Sequence, residues 1–157
     1  MEPDESYMKI AVALASKSVK DGGGPFATVI VDKNGDVLSI GNNQVVKNCD
    51  PSAHGEVVAI RKACELLKAF SLEGCTLYTN CEPCVMCWAA CCWARIKRIV
   101  YANTREDAGA IGFDDDLMFQ EIGKPINERT MQMDQCGRKE ALVTFKEWEE
   151  KEDKVTY

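Results

Sequence analysis

At 157 residues, with 46% hydrophobic and 28% charged positions, the chain has the length and composition of one ordinary globular domain whose core needs no disulfide staples. A formal net charge of −6 weighs against a protein that grips nucleic-acid phosphates and favours a small, uncharged substrate, although Arg95, Lys97 and Arg98 make a short basic strip. No apolar run approaches the roughly 18–20 residues of a membrane span, and the acidic Met1–Ser6 start is unlike a secretory signal, so no membrane partner and a cytoplasmic setting are expected.

In chain order, Tyr7, Ala11, Leu14, Ala15 and Ser18 fall on one helical face after Asp4. Asp21-Gly22-Gly23-Gly24-Pro25 ends that helix. Phe26 to Val31 reads as a buried strand, Asp32 to Asp36 as a hairpin turn, and Val37 to Ile40 as the returning strand. Gly41 to Ala53 is a polar loop, and helical periodicity resumes at His54 and runs to Leu67. Cys75 to Thr79 is a short strand, and Pro83 suits the first turn of a helix that carries Cys84, Cys87, Ala90 and Cys91. Ile96 to Tyr101 is another strand. A short helix near Thr104 to Ala110, the Gly112–Asp116 loop, a helical turn near Phe119, a strand near Thr130 to Met133 and a helix from Arg138 to Trp148 complete the chain. Alternating strands and helices predict a three-layer α/β/α sandwich, a single domain over 1–157 built on a central mixed sheet of about five strands.

Nine cysteines, an odd number, and a single histidine define the chemistry available. In a reducing compartment cysteines serve as buried apolar residues, nucleophiles or metal ligands rather than disulfides. Any imidazole chemistry here belongs to His54. The informative pattern is His54-Gly55-Glu56 followed by Pro83-Cys84-Val85-Met86-Cys87. Cysteines three apart at a helix start present both sulfurs on one face, and a histidine at the start of another helix can add a third ligand. Three protein ligands leave tetrahedral zinc one open position, as catalytic rather than structural sites do. Zinc held this way makes a nucleophile of water near neutral pH, and Glu56, two residues from His54, can move the protons without binding the metal. Each part alone has a plainer reading: His54 as a core or surface residue, Cys84 and Cys87 as a redox pair. The combination resembles the zinc deaminase signature.

At these residues the sequence resembles the cytidine and deoxycytidylate deaminase superfamily and, more narrowly, the small bacterial-type guanine deaminases. The likeness runs through Gly23-Gly24-Pro25-Phe26, Asn43, Asp50 to His54, Tyr78, Cys81-Glu82-Pro83-Cys84, Trp93-Ala94-Arg95, Gly112-Phe113-Asp114-Asp115, Glu121 to Arg129 and Tyr157. The zinc motif fixes the superfamily, and the Gly-Phe-Asp-Asp loop with the terminal tyrosine narrows it. The resemblance implies zinc on His54, Cys84 and Cys87, with Glu56 as proton shuttle. It further implies Asn43 and the Gly55 backbone N–H bonding a purine, Phe26, Trp93 and Phe113 walling the ring, and Asp115 facing the edge with the exocyclic amine. Gly55 stands where these enzymes usually carry alanine, which would leave room beside the substrate. The family also implies a homodimer with exchanged C-terminal segments, Tyr157 closing over the site.

The expected activity is hydrolysis of guanine to xanthine and ammonia, with one zinc per chain. The same mechanism on cytosine, a nucleoside or RNA adenosine is the alternative. A binding protein with purely structural zinc is a different class, and Glu56 speaks against it because a structural site has no use for an adjacent carboxylate.

Overall fold

The computed structural model describes residues 2–157. Asp4 starts α1 (Glu5–Lys20) by accepting from the Ser6 N–H at 2.8 Å, and Ala11, Ala15 and Ser18 form its buried stripe. The hairpin of β1 (Ala27–Val31) and β2 (Val37–Asn42) turns on Asp32, whose carboxylate accepts from the Asn34 and Asp36 N–H groups. Helix α2 (Val45–Asn48) interrupts the segment expected to be loop. Helix α3 (Gly55–Leu67), β3 (Thr76–Cys81), α4 (Val85–Trp93) and β4 (Arg98–Asn103) follow.

The sheet order is β2-β1-β3-β4, antiparallel except for the parallel β3–β4 pair, which α4 connects. Alternation along the strands sends Ile30 and Leu77 to one face, where they pack with Ala59 and Ala63 of α3 and Cys91 and Ala94 of α4. Val29, Val31 and Tyr78 face the other way, onto Ala11 of α1. Helices on both faces of a mixed sheet give the expected α/β sandwich.

Helix α3 lies unusually close to the sheet. A Cβ on Gly41 would stand 2.3 Å from the Gly55 carbonyl oxygen and 2.6 Å from the Ala59 nitrogen, so only glycine permits this contact.

The sheet has four strands, not five: Thr130 to Met133 is not a strand. There the Thr130 N–H donates to the Glu121 carboxylate, and the Arg129 guanidinium donates to the carbonyls of Lys124 and Ile122 at 3.1 and 3.2 Å. Local polar partners replace a ladder.

The chain divides into two compact units, one ending at Asp116 and one spanning Leu117–Tyr157. In the first, α5 (Arg105–Ala110) follows β4, capped reciprocally by Thr104 and Asp107. Helix α6 (Asp116–Ile122) begins on its last residue. The second contains a single 3₁₀ turn (Ile126–Glu128) and α7 (Arg138–Glu150), and none of its residues is buried. Among the described residues no helix is long and apolar enough to cross a membrane.

Candidate active site

Two helix N-termini carry the chemistry. His54 is the N-cap of α3 and Cys84 the N-cap of α4, while Cys87 sits one turn into α4, fully buried. Their order along the chain is set by the fold: β3 delivers the chain to Cys84 at its C-terminal end, the usual place for sites in such sheets. His54 Nδ1 lies 3.6 Å from Cys84 Sγ and 3.5 Å from Cys87 Sγ. The three donor atoms fall within 4.8 Å of one another. One imidazole nitrogen and two sulfurs match the donor set of zinc and leave one tetrahedral position unclaimed by protein.

The thiols polarise each other. Cys84 is drawn down to about 4, chiefly by the hydrogen bond from Cys87 and also by His54, against the opposing effect of burial. Cys87 is pushed strongly up by donating that bond and by burial. The helix N-termini favour the thiolate that a metal requires.

Glu56, in the first turn of α3, is only 6% exposed and accepts from Cys87 Sγ at 3.3 Å. It does not belong to the donor cluster. Burial raises its carboxyl above the ordinary range, so it can hold a proton that a surface glutamate would shed. A buried acid–base group against a metal ligand is what hydrolysis needs and what a structural site lacks.

Around this centre the structure brings together several of the expected contact residues. Asn43 is buried, its N–H donates to the Phe26 carbonyl at 2.9 Å, and its Oδ1 accepts from the Val45 N–H at 3.3 Å. Phe26 and Phe113 meet edge to face with centroids 4.9 Å apart. Burial, followed by the charge of Cys84, raises the Asp115 carboxyl, while Arg105 opposes both. Gly55 is buried, but a Cβ there would lie 3.2 Å from Ala27 Cα and 3.4 Å from the Phe26 carbonyl oxygen. The missing methyl therefore faces the β1 backbone.

Trp93 is not brought to the cluster within the chain. It ends α4, nine residues beyond Cys84, which at 1.5 Å per residue is about 13 Å along the helix, and it is well exposed. Tyr157 belongs to the second unit.

One residue escaped the sequence reading. Buried Asn80 accepts from the Ala27 N–H at 2.7 Å and donates to the Pro25 carbonyl at 2.9 Å, bracketing Phe26 from β3, the strand that leads to Cys84. An asparagine, a residue depleted in strands, near the end of the β3 segment is the signal that could have found it.

Comparison with known proteins agrees with this geometry. Residues 1–103 match the model of the cytidine and deoxycytidylate deaminase zinc-binding region. The guanine deaminase of Bacillus subtilis is 47% identical over 154 residues, 98% of each chain. Its crystal structure superposes with a TM-score of 0.94 over 99% of both chains, at 45% identity. A guanine deaminase structure from Nitrosomonas europaea gives a TM-score of 0.69 at 31% identity, over 73% of this chain and 66% of that one. The tRNA-specific adenosine deaminase of Aquifex aeolicus is 36% identical over 107 residues, 68% of this chain and 70% of its own. With a family-wide match over its first 103 residues and a donor set of His54, Cys84 and Cys87 placed to hold the metal, the chain belongs to the zinc-binding cytidine and deoxycytidylate deaminase family.

Proposed function

We propose that the protein is a zinc-dependent guanine deaminase, converting guanine and water to xanthine and ammonia. The observation that carries the hydrolytic chemistry is Glu56, a buried carboxylate with raised proton affinity in contact with Cys87 but outside the donor cluster. His54, Cys84 and Cys87 would hold zinc, which supplies Lewis acidity and a water nucleophile at neutral pH.

The chain's own residues do the rest. Glu56 takes one proton from the attacking water and passes it to ring N3 as the oxygen bonds to C2, then takes the second proton from that oxygen and passes it to the amine, so that the C2–N bond breaks, C2=O forms and ammonia leaves. Asn43 and the backbone at Gly55 bond the polar edge of the base, and Phe26 with Phe113 closes one wall. Asp115 accepts from the edge that bears the amine. Specificity for guanine is supported by the full-length likeness to the Bacillus subtilis enzyme, against partial coverage for the tRNA-acting relative. Of the residues given to the base, Phe26, Asn43 and Gly55 lie within the family-wide region, whereas Phe113 and Asp115 lie beyond it. The −6 net charge points away from an RNA substrate.

A homodimer fits the same reading, with the C-terminal segment exchanged between subunits. Leu142, Val143, Phe145 and Trp148 of α7 are all exposed within the chain, and a second copy would cover them. All nine cysteines are free, which fits a reducing cytoplasm. Ammonia release measured with guanine, guanosine, adenine, cytosine and cytidine tests the substrate. Activity confined to cytidine or cytosine would overturn the assignment. Light scattering at several concentrations tests the dimer.

A further inference from the structure

We propose that Arg105 is a positioning residue: its guanidinium ties the Gly112–Asp116 loop, and with it Asp115, to the turn that delivers Cys84. The functional consequence rests on the guanine reading above, while the tether itself rests on geometry. On one side, Arg105 Nε lies 3.5 Å from Glu82 Oε1, and the Arg105 backbone N–H donates to Glu82 Oε2 at 3.3 Å. Glu82 is itself fixed, its N–H donating to the Asn103 carbonyl at 2.8 Å, and it stands two residues before Cys84. On the other side, Arg105 Nη1 lies 3.7 Å from Asp116 Oδ1, and the Asp116 N–H donates to Asp114 Oδ1 at 3.0 Å.

Asp115 is thus held between two residues that are bonded to each other, one of them bonded to Arg105. The loop's other end is fastened as well, the Phe113 N–H donating to the Ala108 carbonyl at 3.0 Å and its ring meeting Phe26. Charge argues the same way. Asp115 feels the negative charge of Cys84 and Glu82, which oppose its ionisation, while Arg105, paired with both Glu82 and Asp116, favours it. Arg105 and Glu82 are each about 30% exposed at the side chain, so solvent screens this pair less than a surface one. A planar fork can engage two carboxylates in different directions, whereas a lysine ammonium is a single point of charge.

The test uses the full-length zinc protein in five forms: wild type, Arg105→Ala, Arg105→Lys, Asp116→Asn and the double variant Arg105→Ala/Asp116→Asn. Zinc content, guanine KM and kcat, and amide hydrogen exchange of residues 112–116 are measured on each. Arg105→Ala is expected to keep its zinc, raise KM for guanine about tenfold with a smaller fall in kcat, and speed exchange in the loop. Arg105→Lys should recover part of the KM, and combining Arg105→Ala with Asp116→Asn should add little to either alone. Unchanged loop exchange in Arg105→Ala would overturn the proposal, as would lost zinc, which would make Arg105 a support of the ligand turn instead. If wild type fails to turn over guanine, the substrate reading falls while loop exchange still decides the tether.

Discussion

Cys87 Sγ donates to Glu56 Oε2 across 3.3 Å, so the carboxylate touches a member of the donor cluster without belonging to it. In the proposed mechanism this arrangement separates holding the ion from moving protons. Glu56→Gln keeps the side chain's size and its neutral hydrogen bonding while removing the base. Zinc content and thermal stability are expected to stay near wild type and turnover to fall by about 10²–10⁴ or more. Near-normal ammonia release from the variant would remove Glu56 from the mechanism.

The donor set makes a second prediction. Metal binding to a folded chain adds stability by mass action and favours deprotonated ligands. A strong chelator should therefore lower the melting temperature and abolish turnover, and zinc alone should restore both. Cys84→Ala should bind no zinc by elemental analysis, and a fully active zinc-free preparation would refute the metal assignment.

Asp115 tests the choice of base. A site built to bond a polar edge discriminates strongly when its partner is lost. Asp115→Asn is expected to damage guanine turnover severely with zinc unchanged. Equal kcat/KM for wild type and variant would make Asp115 a plain turn residue.

Much of this was legible in the sequence because its causes are local. Ligands three apart at a helix start, a proline before them and a periodic apolar stripe are written within a few residues. What was missed depends on partners far along the chain or on competition between polar groups. Asn80 gains its meaning only from Pro25 and Ala27, more than fifty residues away. Helix α2 lacks a side-chain cap at Gln44 and ends on Cys49 with φ of 50°, so no start or stop residue announced it. The Thr130–Met133 stretch alternates polar and apolar residues as a strand does, but the Thr130 N–H bonds the Glu121 carboxylate instead of a neighbouring strand.

The chain terminus yields a further test. Tyr157 is exposed, in a unit without a buried residue. If Tyr157 serves the exchanged segment of the proposed dimer, deleting Val155-Thr156-Tyr157 is expected to leave zinc and melting temperature nearly unchanged while sharply lowering guanine turnover. A truncated protein with full activity would show the tail to be solvated and idle.

The glycine at the α3 contact can be weighed against another. Gly41→Ala would drive a methyl into the backbone at Gly55 and Ala59, costing about 1–3 kcal/mol or more by chemical denaturation. Gly109→Ala, in α5 with open space around it, should be neutral or stabilising by up to about 1 kcal/mol. Equal effects of the two would show that α3 can shift away from the sheet at little cost.

That contact also bears on how such an enzyme can diversify. The height of His54 and Glu56 above the sheet is set by main chain resting on main chain at Gly41, so exchanging core side chains leaves it fixed. The Gly112–Asp116 loop, to which the proposed function gives one edge of the base, lies outside that contact and outside the core. Substitutions in that loop therefore leave the backbone seat of His54 and Glu56 untouched.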